Sequence, residues 1–403
     1  METTTRPVGA KAIVLTLGFM ISFGPLSIDM YLPALSRIAE NLSADLGYVQ
    51  LSLSAFFVGL ALGQLFYGPF TDKVGRKKPL YIGLSIYTFA SIICALAPNV
   101  EVLVGARFFQ AIGSCAGVVI SRAIVRDLYG AREAAKIYSL LMLIMGVAPI
   151  MAPMLGGYLS EAFGWRYIFL VLGVTSVLCL ASIHFFLPET GKANPQAGKK
   201  IMSSYLEILT HRTFIRNATS GSFAQSAMFA YITGSSFVFI ELFGVRAENF
   251  GYIFGSNALG LILCSQINAR LLRKYNPSDI LNKVFPVIAL ISVGIIILGI
   301  MATNLWMIWL PIFLFMSCLG MTFPNTSAEA LSEEGESAGT ASALLGCIQY
   351  SLAALISSLM SILHNGTIIP MVSVMAFCGV TSFSLYYFLR KEKDEEELQE
   401  LSI

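Results

Sequence analysis

Pro25-Leu26-Ser27-Ile28-Asp29-Met30-Tyr31-Leu32-Pro33 closes the first long apolar run of the chain, which starts near Ala12. It puts a carboxylate, Asp29, inside that run. A charged group in hydrocarbon costs several kcal/mol, so in a membrane span it marks a functional pathway. Everything then turns on whether the run crosses a membrane.

Composition answers that question. Hydrophobic residues make up 56% of the 403, charged residues 12%, and the mean hydropathy is +0.73. Soluble domains carry about a quarter charged residues, so a soluble fold of this length is excluded. Apolar runs long enough to span recur near 12–34, 47–70, 79–98, 100–124, 136–160, 166–188, 214–242, 249–270, 280–302, 304–331, 338–363 and 367–389. These predict an all-α membrane protein with twelve spanning helices. A net charge of +2 is too small to point to nucleic acid.

An even number of spans puts both termini on one side. Lys and Arg crowd that side, in the loops at 73–78, 122–136, 192–216 and 270–283 and at both ends of the chain. Only Arg37, Arg166 and Arg246 fall opposite, and Arg107 lies within a span. The positive-inside rule therefore predicts cytoplasmic termini. The first run is long, lacks a small-residue cleavage site and holds an Asp, which predicts a retained helix rather than a signal peptide. All seven cysteines fall in apolar runs, as small packing residues.

The second run ends in Gly68-Pro69-Phe70-Thr71-Asp72-Lys73-Val74-Gly75-Arg76-Lys77-Lys78. Gly68 suits a close helix approach, Gly75 a tight turn, and Asp72 a positive helix N-terminus. The candidate terminus is that of the eleventh span, opened by Ser337-Ala338-Gly339-Thr340. This stretch resembles the loop signature of the major facilitator superfamily between helices 2 and 3. The resemblance implies a cytoplasmic gate of Gly68, Asp72, Gly75, Arg76 and Asp127, with Arg76 paired to Asp127.

A shift of 197 residues lays Leu62-Gly63 on Leu259-Gly260 and Arg76-Lys77 on Arg273-Lys274, with Ala269 where the first copy has Asp72. This repeat predicts two six-helix bundles, 1–190 and 214–390. A polar linker at 191–213 would join them, with a surface-lying amphipathic stretch from Met202, and 391–403 would form a charged tail. Substrate sites in such folds lie near the midplane between the halves.

The fourth run holds Arg107-Phe108-Phe109-Gln110-Ala111, which resembles the superfamily's R-x-x-Q-G signature with Ala111 in place of Gly. Counting 1.5 Å per residue puts Asp29 and Arg107 at one height, roughly 8–9 Å above the midplane. A proton-coupling pair is the expectation. Two other readings stay open, that Asp29 caps a span end or that Arg107 snorkels outward. Pro149, Pro153, Gly156 and Gly157 of the fifth run resemble the antiporter signature that ends G-P-x-x-G-G, with Ala152 for its first Gly. They are expected as a hinge, against the plainer reading of a kinked packing helix.

Ser27-Ile28-Asp29-Met30-Tyr31-Leu32-Pro33, Arg126-Asp127-Leu128-Tyr129, Asn249-Phe250-Gly251 and Ala338-Gly339-Thr340 carry a closer resemblance, to the Bcr/CflA drug-efflux family. It implies a monomer in the bacterial inner membrane that exports small drug-like molecules in exchange for protons. Met30, Tyr31, Gln110, Phe223, Tyr231, Asn257 and Gln349 are the candidate substrate contacts. No G-x-x-x-x-G-K-[ST] loop, metal-ligand cluster or nucleophile triad occurs, so neither ATP hydrolysis nor another enzymatic chemistry is expected, and no cofactor. A facilitator-fold carrier of one specific metabolite is the alternative.

Overall fold

The computed structural model describes residues 10–191, 201–334 and 338–400. Among them there is no strand. The helices are α1 (Ala10–Asp29), α2 (Leu35–Asn41), α3 (Leu46–Val74), α4 (Lys77–Leu96), α5 (Val100–Leu128), α6 (Ala131–Ala162) and α7 (Arg166–Phe186). There follow α8 (Ile201–Ile208), α9 (Arg212–Ser236), α10 (Ala247–Leu271), α11 (Pro277–Ile300), α12 (Leu305–Leu331), α13 (Ala338–Ile362) and α14 (Ile369–Glu400). Twelve segments are long and apolar enough to cross a membrane. In hydrocarbon each backbone N–H and C=O needs an internal partner, and the α-helix supplies it.

Side chains mark the helix starts. Asp45 accepts from the Gly47 amide at 2.8 Å and Asn99 from the Val102 amide at 3.0 Å. Asn304 accepts from the amides of Trp306 and Met307, and Asn276 forms a capping box with Asp279. Exposed Tyr48, Tyr158, Tyr167, Tyr252 and Trp306 girdle the non-basic ends of the helices, where amphipathic rings favour the lipid–water boundary.

Two findings alter the expected boundaries. The first span does not end at residue 34 but runs from Lys11 to Asn41, broken after Asp29 by a 3₁₀ turn at Leu32–Ala34. Pro33 cannot donate to the Asp29 carbonyl, which removes the helix bond there. The charged stretch after residue 390 continues α14 as helix through Glu400.

By contact the spanning helices form two sets, α1 to α7 and α9 to α14. They join where α3 lies on α13 and α6 on α10. A Cβ on Gly47 would reach the Ser361 carbonyl at 2.7 Å, and one on Gly346 would reach Gln64 at 3.1 Å. Along the other seam the close approaches run from Gly157 against Ala247 to Gly146 against Ile262. α5 and α12, by contrast, do not pack on each other.

Small residues set the crossings within each set. Gly63 meets Cys115 of α5, and its repeat mate Gly260 meets Phe313 and Ser317 of α12. The 197-residue repeat thus specifies the same crossing twice. Gly68 makes no such approach, because nothing lies within 4 Å of where its Cβ would stand. Gly156 has the backbone of Met30 directly against it.

Replacing Gly156 with Ala should therefore destabilise the protein by about 1–3 kcal/mol through overpacking against main chain. Gly68→Ala should be neutral or slightly stabilising. Thermal unfolding of the two purified variants in detergent checks both, and equal melting points would contradict the assigned packing.

Candidate functional site

At the basic end of the first set, Gly75 turns the chain with φ of +91°, a region that L side chains rarely adopt. The turn folds Arg76 back under α3. Its Nη1 donates to Asp72 Oδ1 at 2.7 Å and to Thr71 Oγ1 at 2.9 Å, and its Nε donates to Asp127 Oδ2 at 2.9 Å. The Arg76 side chain is only 8% exposed. Burial pushes its pKa down, but the bonds to Asp127 and Asp72 outweigh that and the net shift is upward. The base stays charged at any physiological pH.

Glu189, just past the end of α7, joins this cluster although no motif named above includes it. Its carboxylate accepts from the Arg76 amide at 2.7 Å and the Lys77 amide at 3.0 Å. It thereby caps the positive N-terminus of α4, as anions favour. A Cβ on Gly75 would lie 3.2 Å from that carboxylate, a second reason for glycine there. Asp72 therefore serves Arg76 within its own set. The partner expected for it, the start of the eleventh span, includes Ser337, which lies outside the described residues.

Arg107 sits in the interior of the first set with no exposed surface. Its Nη1 donates to Gln110 Oε1 at 2.6 Å, and Gln110 Nε2 donates to Ser91 Oγ at 2.8 Å. Its guanidinium carbon lies 4.3 Å from the Phe56 ring, 4.8 Å from Tyr31 and 5.7 Å from Phe169. Three ring faces solvate the charge electrostatically. Nε and Nη2 have no hydrogen-bond partner.

The ion pair expected between Asp29 and Arg107 is not made; among the described residues Asp29 has neither ion pair nor hydrogen bond. Geometry explains the miss. α1 crosses α5 where the Met20 backbone lies against Gly117. Asp29 is nine residues past that crossing and Arg107 ten, so both stand about 14–15 Å along. Nine residues are two and a half turns, which carries Asp29 to the far face of α1. There the end of the first helix meets the second set: the 3₁₀ turn touches α9 and α10. Tyr231 of α9 lies within electrostatic reach of Asp29. Asn257 Nδ2 of α10 donates to Tyr231 Oη at 2.8 Å, and Phe254 stacks on the Tyr231 ring at 5.5 Å. Asp29 keeps 4% exposure against none for Arg107.

The candidate substrate contacts therefore separate. Tyr231 and Asn257 gather beside Asp29. Tyr31, whose hydroxyl is 2.9 Å from Ser52 Oγ, and Gln110 belong to the Arg107 interior instead. Met30 is buried against Gly156. Phe223 packs edge-on to Phe377 of α14, whose ring is exposed on the outer surface, and so turns away from the junction. Gln349 is half-buried on α13. A ring chain, Phe57 to Phe229 at 4.5 Å and Phe229 to Tyr350 at 6.2 Å, crosses from α3 to α13 through α9.

Comparison with known proteins places this arrangement. The family described as Major Facilitator Superfamily matches residues 15–358. The Bacillus subtilis (strain 168) protein named uncharacterized MFS-type transporter YdgK is 37% identical over 396 residues, 96% of this chain and 98% of its own. The bicyclomycin resistance protein homolog of Haemophilus influenzae is 31% identical, covering 93% of this chain and 95% of its own. Escherichia coli multidrug resistance protein MdtL is 26% identical over 91% and 92%. The chain belongs to the Bcr/CflA branch of the major facilitator superfamily. Solved folds agree: a D-xylose–proton symporter superposes with a TM-score of 0.74 at 13% identity, over 94% of this chain and 98% of that one. A bacterial Spinster homologue, inward-facing and unoccupied, gives 0.72 at 15% identity over 96% of each chain.

As a facilitator, the chain is a multi-pass membrane transporter and not an enzyme. Its fifth-span facilitator stretch runs as one helix through Pro149 and Pro153. Gly156 faces the broken first span, and a Cβ on Gly157 would lie 2.8 Å from the Ala247 carbonyl of the second set. The two adjacent glycines thus join the Asp29 segment to the other half. Arg76→Lys, one amine in place of a planar fork, should cost about 1–3 kcal/mol because the carboxylates at the turn lose their shared donor. Thermal unfolding with Asp127→Asn in a double-mutant cycle measures the coupling, and strictly additive losses would deny it.

Proposed function

We propose that the protein is a proton-coupled efflux antiporter that carries small amphipathic molecules out across a bacterial inner membrane by alternating access. The single observation that carries the reading is Asp29. It is a buried, unpaired carboxylate at a break in a spanning helix, set where the two helix sets meet.

In this reading the basic ends are cytoplasmic, with both termini there, as the distribution of Lys and Arg favours. Residues 1–190 and 214–390 act as two rigid halves of one monomer, and Asp72, Gly75, Arg76 and Asp127 brace the first half at its cytoplasmic gate. The seams along α3/α13 and α6/α10, with α5 and α12 apart, fit a cleft open to the cytoplasm. The inward-facing fold neighbour supports that orientation.

Coupling then follows from electrostatics. An ionised Asp29 at the junction disfavours burial between closing halves, because desolvating an unpaired charge is expensive. Protonation removes the charge and lets the halves close over it. Substrate and proton need not occupy Asp29 together. Each favours a different closure, so their fluxes oppose. Arg107 acts as a fixed positive charge inside the first half and carries no proton itself. Tyr231 and Asn257 contact substrate from the second half, and the Phe57–Phe229–Tyr350 chain supplies its apolar wall. The drug-resistance names of the relatives support export of such molecules.

Asp29→Asn should insert at the wild-type level yet abolish ethidium uptake driven by a pH gradient in everted membrane vesicles. Unchanged gradient-driven uptake in that variant would remove Asp29 from coupling. Arg107→Lys, which keeps the charge, should retain a measurable fraction of the flux.

A further inference from the structure

α8 ends at Ile208 and α9 begins at Arg212, and His211 is the last residue of the turn between them. His211 Nδ1 lies 2.9 Å from Oε1 of Glu334, just beyond the end of α12. The Glu334 side chain is 1% exposed and that of His211 37%. Two residues on, Thr213 Oγ1 donates to Glu333 Oε1 at 2.9 Å. The same junction carries a separate apolar cluster. Tyr205 and Ile208 of α8 bury themselves with Phe214 of α9, Ala330 of α12 and Leu344 of α13. Leu65 of α3, from the other helix set, packs against it. The linker helix is thus seated on the second set at the point where the first set touches it.

The charges acting on His211 are acids: Glu334 and Glu333 after α12, and Glu207 on α8. Its near cations in the chain are Arg212 and Arg216 of α9, and Tyr205 is the other titratable group of the cluster. The hydrogen bond to Glu334 raises the imidazole above its ordinary range, while burial pulls the other way. The sign is that of a cation gaining a partner. The contribution to the seated form is complete below the ordinary pKa of about 6.5 and is lost as pH climbs through the raised value. A buried carboxylate left without its cation is costly, so loss of the proton loosens the seat.

We propose that His211 and Glu334 form a pH-operated latch on the linker helix, closed at acid pH and released as the solution at the basic end turns alkaline. The closed latch favours the arrangement of the two sets seen here, through Leu65. The proposal needs only a transporter with these halves and does not depend on any role of Asp29.

The test uses the purified full-length protein in detergent. The chain has three histidines, so side-chain NMR resolves His211 as the resonance absent from His211→Gln. It should titrate above about 6.5, and should move down in Glu334→Gln. Hydrogen–deuterium exchange, corrected for intrinsic rate, should show protection of residues 201–209 falling several-fold from pH 6 to pH 8.5. Protection should be low and flat in His211→Gln, and high and flat in His211→Lys, which also guards against a folding defect in the Gln variant. An ordinary or lowered His211 titration, or the wild-type profile persisting in His211→Gln, would overturn the latch. Asp29→Asn with the wild-type exchange profile is expected, and separates a failure of proton coupling from a failure of the latch.

Discussion

In hydrocarbon a main chain must satisfy its own polar groups, and the rest of this structure depends on that constraint. It makes helices of twelve spans and tolerates interruption only where protein covers the break. The first span is interrupted between Asp29 and Leu35. Tyr31, Leu32, Pro33 and Ala34 are all buried there. Gly156 gives up its side chain so that α6 can lie on the Met30 backbone, and α9 and α10 cover the other side. The break can exist because both halves of the molecule contribute to its cover. Any motion that separates the halves therefore uncovers it, together with Asp29 at its edge.

Two buried arginines show how differently a guanidinium can be held. Arg76 is held by two carboxylates and a hydroxyl, and the bonds fix the turn after α3 against α5. Such a site is rigid because each lost bond leaves a buried charge without its partner. Arg107 has one amide oxygen and three rings. Rings attract a cation without neutralising it. The first set thus keeps a buried positive charge that is not paired with the acid at its edge.

The parts of this arrangement that were legible in the sequence are those that depend on position along a helix. Span number, the Gly75 turn and the shared height of Asp29 and Arg107 follow from counting residues, while the pairing of Arg76 with Asp127 came with the facilitator signature. Facing does not. Whether Asp29 meets Arg107 depends on where α1 crosses α5, and the Met20–Gly117 contact that decides it leaves no mark in either run. Gly68 and Gly156 make the same point: both stand in motifs, yet only Gly156 has a backbone against it. Glu189 escapes the motifs because its capping of α4 joins residues more than a hundred apart.

The repeat also shows where the two halves part company. Gly63 and Gly260 make the same crossing, so the packing frame is duplicated. The basic turn is not: Arg273 is exposed, whereas its mate Arg76 is buried, because Ala269 offers no carboxylate where Asp72 does. The second half fastens its basic end elsewhere, through Glu333 and Glu334 onto Thr213 and His211. The base of the first fastening is a guanidinium that never loses its proton, and the base of the second is an imidazole that can. The two similar halves thus differ in whether the base that fastens the basic end can lose its proton. That difference falls beside α8, where Leu65 of the first set packs on the same cluster, so a change in the fastening can be felt by the other half.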